Sequence, residues 1–143
     1  MFVKQLAIFI ENRSGRLAAA CHALADEKIN ILALSLADTA DYGILRLIVS
    51  DPDKGHVVLK KAGFTVMTHD VLAVEVADKP GGLAHILEVL QDGKINVEYM
   101  YAFSSVRTSR AALIFRFEDS SSAIKLLNAA QIGVMSKIDV LGQ

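Results

Sequence analysis

Leu6-Ala-Ile-Phe-Ile-Glu-Asn-Arg-Ser-Gly-Arg-Leu-Ala18 returns sixty-six positions later as Leu72-Ala-Val-Glu-Val-Ala-Asp-Lys-Pro-Gly-Gly-Leu-Ala84. The match runs on without a gap, placing Asp26-Glu-Lys-Ile-Asn-Ile31 on Asp92-Gly-Lys-Ile-Asn-Val97. Between Leu6 and Leu36 the positions Leu6, Ala7, Gly15, Leu17, Ala18, Leu24, Asp26, Lys28, Ile29 and Asn30 are identical in the second copy. Two residues are then gained, after which Leu45, Leu47, Val49 and Asp51 fall on Leu113, Phe115, Phe117 and Asp119, and Val66-Met67 on Val134-Met135. A period of this size marks one supersecondary unit written twice. The expected division is residues 1–70 and 71–143.

Each copy reads as strand, helix, strand, strand, helix, strand. Leu6, Ile8 and Ile10 alternate as a buried strand, and Asn12 to Gly15 is turn chemistry. Leu17, Ala20, Cys21 and Leu24 stand at i, i+3, i+4 and i+7, a spacing kept by Leu83, Ile86, Leu87 and Leu90, which predicts a core-facing stripe on the first helix. Ile31 to Leu36 and Ile44 to Val49 read as strands, Val58, Leu59 and Ala62 as a shorter helix, and Val66 to Thr68 as the returning strand. Two right-handed βαβ crossovers per copy predict an α+β fold: two ferredoxin-like βαββαβ units, each a four-stranded antiparallel sheet with two helices on one face and the other face bare. A unit of this size is marginal alone, so the copies are expected to pack against one another or against further copies.

The chain of 143 residues has room for one ordinary domain or two very small ones, and none for a large enzyme with a cofactor domain of its own. It is 52% apolar and 22% charged, a composition that folds. Fifteen Lys and Arg balance sixteen Asp and Glu at a net charge of −1 without any like-charge run, which argues against a nucleic-acid partner. The single Cys21 makes no internal disulfide or multi-cysteine metal cage and fits a reducing, cytoplasmic setting. The apolar run Leu6 to Ile10 is too short to span a bilayer and lacks a signal-peptide layout, so no membrane association is expected.

The chemistry sits in the loop between first strand and first helix, Asn12-Arg-Ser-Gly-Arg-Leu17 in one copy and Asp78-Lys-Pro-Gly-Gly-Leu83 in the other. Asn12 and Asp78 are acceptors of the capping kind, Pro80 suits a helix start, and Gly15 or Gly81 permits close backbone approach. First-turn amides at the positive end of a helix dipole suit a carboxylate. Good capping alone explains one such loop; two at equivalent places, each coupled to a following Lys-Ile-Asn, point to a ligand.

On these residues the unit resembles an ACT domain, and the chain a tandem ACT protein. The marks are Asp78 to Leu83, Lys94-Ile-Asn-Val97 and their counterparts Asn12 to Leu17 and Lys28 to Ile31. The resemblance implies that a small effector, an amino acid, binds at the interface between two ACT units and reports metabolite level to a regulated enzyme or regulator. The implied ligand-binding residues are Asn12, Ser14, Gly15, Arg16, Leu17, Asn30 and Ile31 in the first copy, and Asp78, Pro80, Gly81, Gly82, Leu83, Asn96 and Val97 in the second. The first copy departs from the pattern with Asn12 for the acid and Ser14 for the proline. Tyr99, Tyr101 and Phe103 stand where the first copy has the small Ala33, Ser35 and Ala37, a contrast that either complements a core or shapes a side-chain pocket.

Catalysis finds no constellation. Cys21 on the apolar stripe is expected to be buried and inert. His22, His56, His69 and His85 form no spaced ligand set, so no metal and no cofactor are expected; only His85, one turn after Gly81, lies near the loop. The acids Glu11, Asp41, Asp78 and Asp92 are scattered. Leu113-Ile-Phe-Arg-Phe117 lacks the glycines and positive charge of an RNA-recognition strand. The expected function is therefore amino-acid sensing by a non-enzymatic regulatory protein, further paired as a homodimer. The alternatives are an interaction module with a vestigial ligand site and, at a distance, a small lyase or transferase.

Overall fold

The computed structural model describes residues 2–38, 41–103 and 111–141. It divides into two compact units, Lys4–His69, and Asp70–Gln143 together with Met1–Val3. In the first, β1 (Val3–Glu11) is followed by α1 (Arg16–Asp26), β2 (Ile31–Asp38), β3 (Tyr42–Val49) and α2 (Pro52–Lys61). One strand, β4 (Thr65–Val76), closes the first unit and opens the second. The second continues with α3 (Gly82–Asp92), β5 (Val97–Phe103), β6 (Ala111–Phe117), α4 (Ser120–Ala129) and a short α5 (Lys137–Leu141). The strands lie side by side as β2-β3-β1-β4 in the first unit and β4-β6-β5 in the second, all antiparallel where their registers are known. This is the α+β, ferredoxin-like architecture that the duplicated pattern predicts, with the second unit's fourth strand reduced to a single bridge, Val74 to Val134.

That last strand is short for a local reason. Glu75 N–H donates to the Gly133 carbonyl at 2.9 Å and Met135 N–H to that of Ala73 at 2.7 Å. At the next residue a helix start takes over. Ser136 Oγ accepts from the Asp139 amide at 3.1 Å while the Asp139 carboxylate accepts from the Ser136 amide at 3.0 Å, a reciprocal box that commits the chain to α5.

Alternation sorts each sheet into two faces. In the first unit Leu6, Ile8 and Ile10 pair with Leu47, Leu45 and Gly43, and the apolar members join Leu24 and Leu59 in a core beneath α1 and α2. In the second, Leu72 and Val74 pair with Phe115 and Leu113 and join Ile86, Leu90 and Leu127 beneath α3 and α4. Phe115 and Phe117 stack with ring centroids 5.3 Å apart. The opposite faces are not bare, contrary to expectation: Ala7, Ala33 and Ile48 are buried in the first unit, and Ala73, Ala112 and Ile114 in the second.

The helical stripe needs a second correction. Ala20 and Leu24, like Ile86 and Leu90, are buried, but Leu17 and Leu83 are 40% and 37% exposed and Cys21 is half-buried. Each first helix lays one i, i+4 ladder on the sheet, and its neighbouring ladder, Leu17–Cys21 or Leu83–Leu87, turns outward. The stripe is half as wide as its spacing suggests.

Asp51 and Asp119, at equivalent places, begin the second helices by accepting the amides of Lys54 and Ser122, each at 3.1 Å. The Ser122 hydroxyl, then its amide, hold the Asp119 carboxyl below the ordinary carboxylate range. A group depressed in this way stabilises the folded chain above its unfolded pKa and loses that contribution as the pH falls through its lowered folded value. Thermal unfolding of wild type and Asp119→Asn should therefore show a gap in midpoint at pH 6 that narrows as the pH drops below about 4. A gap of constant size down to pH 2 would contradict the charge-based account.

Candidate functional site

The two β–α loops have the same backbone. Arg13 N–H donates to Glu11 O at 2.8 Å and Lys79 N–H to Ala77 O at 2.9 Å; Arg16 N–H reaches Arg13 O at 3.4 Å and Gly82 N–H reaches Lys79 O at 3.1 Å. The helical ladder then starts with Ala19 onto Gly15 and His85 onto Gly81, both at 3.0 Å. Gly15 and Gly81 are the N-cap residues, with φ of 89° and 86° in the left-handed region that a side chain disfavours. Neither helix receives a side-chain cap. The expectation that Asn12 and Asp78 cap α1 and α3 fails for a geometric reason: they stand three residues before the cap, out of reach of the first-turn amides. Leu17 and Ala18, and likewise Leu83 and Ala84, thus present amides at the positive end of a helix dipole. The contrast with the aspartate-capped α2 and α4 is internal to each unit.

A cavity opens beside each loop. The first, about 330 Å³, is lined by Asn12, Ser14, Gly15 and Leu17 from the predicted set, with Ile10, Leu36 and Gly43 on its β2–β3 side. The second, about 440 Å³, is lined by Pro80, Gly81 and Gly82 from the predicted set and by Lys79 and His85, and it opens instead toward Gln131, Ile132 and Gly133 after α4. Both volumes lie in the range of small-molecule pockets. Glu75 also lines the second cavity; a Cβ on Gly133 would sit 3.4 Å from its carboxylate, so the acid lies against that glycine. Glu75, Gln131 and Ile132 belong to no motif, and only folding brings them to the loop. Asp78 and Leu83 flank this cavity without lining it.

Arg16 turns elsewhere. Its guanidinium lies over Phe64, 4.6 Å from the ring centroid, with Nε buried and given no hydrogen bond. Asn30, Ile31, Asn96 and Val97 are not brought to the loop of their own unit. They follow the far ends of α1 and α3, helices of eleven residues and so about 16 Å long. Both helices end on a left-handed lysine, Lys28 at φ 59° and Lys94 at φ 57°. At that far end Asn30 exchanges bonds with Ser50, its amide donating to Ser50 Oγ and its carbonyl accepting from Ser50 N–H, both at 2.9 Å. Ile31 pairs with Val49. Asn96 and Val97 line a separate hollow of about 310 Å³ with Leu87 and Lys94. Tyr99 and Tyr101 stand opposite Arg116 and Ile114, on the sheet face away from the helices, and line neither loop cavity. The Phe103 side chain lies outside the described residues. Among the described residues no group of three or more His, Cys, Asp or Glu is disposed to hold a metal, and no helix is long and apolar enough to cross a membrane.

Residues 1–140 match the family model of an ACT domain pair. A Bacteroides thetaiotaomicron protein of known crystal structure is similar over 100% of this chain and 98% of its own, at 38% identity and a TM-score of 0.93. The regulatory subunit of aspartate kinase from Thermus thermophilus, in its ligand-free form, is similar over 89% and 91% of the two chains, at 15% identity and a TM-score of 0.63. Its Thermus flavus counterpart gives 90% and 92%, 17% and 0.61. The last two likenesses are of fold. No curated protein sequence matches.

Gly81 and Gly82 are expected to fail differently on substitution. A Cβ on Gly81 meets nothing within 4 Å, so Gly81→Ala should cost only the left-handed backbone penalty, about 1–2 kcal/mol. A Cβ on Gly82 runs into the carbonyl oxygen of Ala77, so Gly82→Ala must shift the loop and should destabilise more. Urea unfolding of both variants checks the order; equal losses would contradict it.

Proposed function

This chain belongs to the ACT domain family, and from that premise we propose that it is a regulatory protein that senses a free amino acid. Residues 1–70 and 71–143 are its two ACT units, and it contributes no catalysis of its own. The observation that carries the reading is the pair of helix starts at Gly15 and Gly81, which lack side-chain caps and stand beside cavities, while the second helix of each unit is capped by aspartate. A carboxylate supplies what those amides lack, through charge-assisted bonds to Leu17 and Ala18 or to Leu83 and Ala84. Asn12, Ser14 and Asp78 stand beside the bound group, with Pro80 and Gly82 shaping the turn. Asn30, Ile31, Asn96 and Val97 serve an apposed ACT unit, offering strand carbonyls to the ammonium across an interface. Arg16 takes a different role, stacked on Phe64. The effector acts by favouring one arrangement of units, which a regulated enzyme or regulator reads as a coupling free energy.

A second copy of the chain supplies an apposed unit in the proposed homodimer, in the cytoplasm. Support comes from β2, an edge strand of the first unit's sheet, on which Leu34 and Leu36 are 54% and 48% exposed. Leu34→Lys should shift the mass measured by light scattering toward the monomer; an unchanged mass would remove β2 from the contact.

Thermal unfolding against the twenty free amino acids, one at a time, tests the sensing reading. An effector at a hundred times its dissociation constant adds roughly 2.7 kcal/mol to the folded state. Gly81→Val should lose the response while remaining folded. A flat result with all twenty would favour a module that assembles complexes through a vestigial site.

A further inference from the structure

The two units treat one equivalent space in opposite ways: the gap between the start of the first helix and the turn after the second. In the first unit the gap is crossed by the Arg16 side chain, whose guanidinium rests on Phe64. In the second, Gly82 replaces Arg16 and Ile132 replaces Phe64, while Ala19 gives way to His85 and Phe9 to Glu75. Two bulky groups are withdrawn and two ionisable ones are brought in around the cavity of about 440 Å³. Gly82 also keeps its own side out of the gap, because its Cα packs against the Ala77 carbonyl and leaves no place for a side chain.

We propose that this cavity in the second unit is a binding site for one free α-amino acid with an apolar side chain, and that the equivalent space in the first unit is permanently occupied by Arg16. The proposal rests on the sensing reading and makes it more specific: one site per chain, within a unit, for a stated ligand class. Opposite charges stand on separate walls. Glu75, against Gly133, receives the ammonium, and Lys79 on the loop faces the carboxylate. Val76, Ile86 and Ile132 leave an apolar surface for the side chain. Arg16 on Phe64 brings a cation and a hydrocarbon stem of its own to the matching gap, so the first unit offers no room there.

Amide chemical-shift mapping of the full chain, with each of the twenty proteinogenic amino acids added separately, tests this. Perturbations by apolar amino acids are expected at residues 75–86 and 130–133 and not at 9–20 and 62–65. Ile132→Phe, which copies the first unit's residue, should abolish them without lowering the ligand-free unfolding midpoint, and Glu75→Gln should weaken the dissociation constant on the order of tenfold. Arg16→Ala should leave them unchanged. Equal perturbations at both gaps, perturbations confined to Asn12 to Leu17 and Leu36, a response only to charged amino acids, or an unaltered response in Ile132→Phe would each overturn the proposal while leaving the sensing reading standing. Silence from all twenty would overturn both.

Discussion

Everything functional in this chain descends from a left-handed glycine placed at the start of the first helix of each unit. At φ near +90° the backbone turns so sharply from strand into helix that the preceding Asn12 or Asp78 passes out of reach, and no side chain covers the first-turn amides. The helix therefore begins with donors directed outward, held by a rigid turn whose hydrogen bonds repeat from one copy to the other within a few tenths of an ångström, apart from the longer Arg16 bond. An ordinary Asp or Ser cap, such as Asp51 and Asp119 supply a few turns later, would satisfy those donors internally. The same fold thus contains both solutions to one problem, and the open one recurs at the same place in both copies.

Duplication preserved that backbone while the surroundings diverged. Gly15 and Gly81, Lys28 and Lys94, and the aspartate caps all keep their conformations at equivalent positions. Side chains around them have parted: Arg16 and Phe64 close a space that Gly82 and Ile132 leave open, and the cavity of the first unit looks toward Leu36 and Gly43, not toward the turn after its second helix. A conserved scaffold with unequal walls is how one unit can become a receptor while its twin becomes a support.

The repeat itself made the architecture legible from sequence, because two registers of strand alternation and helix spacing had to agree at a constant offset. Legibility ended where tertiary geometry decides between equivalent-looking positions. Leu17 and Leu24 share a helical stripe, yet one lies half in solvent and the other beneath the sheet, and no spacing rule separates them. Arg16 sits inside the ligand loop in the sequence, and its length lets it reach Phe64 instead. Glu75, Gln131 and Ile132 escape notice for the converse reason: they come from a strand, a turn and a strand end, and only the βαββαβ winding brings them to Gly81. Asn30 and Asn96 belong to the family's pattern, but a full helix separates them from the loop of their own unit.

The central claim is that exposed first-turn amides hold a carboxylate. Calorimetric titration of the amino acid that binds most tightly, set beside its carboxamide of identical side chain, measures that dependence directly. Removal of the negative charge is predicted to weaken binding by an order of magnitude or more. Equal affinity for acid and amide would contradict the claim.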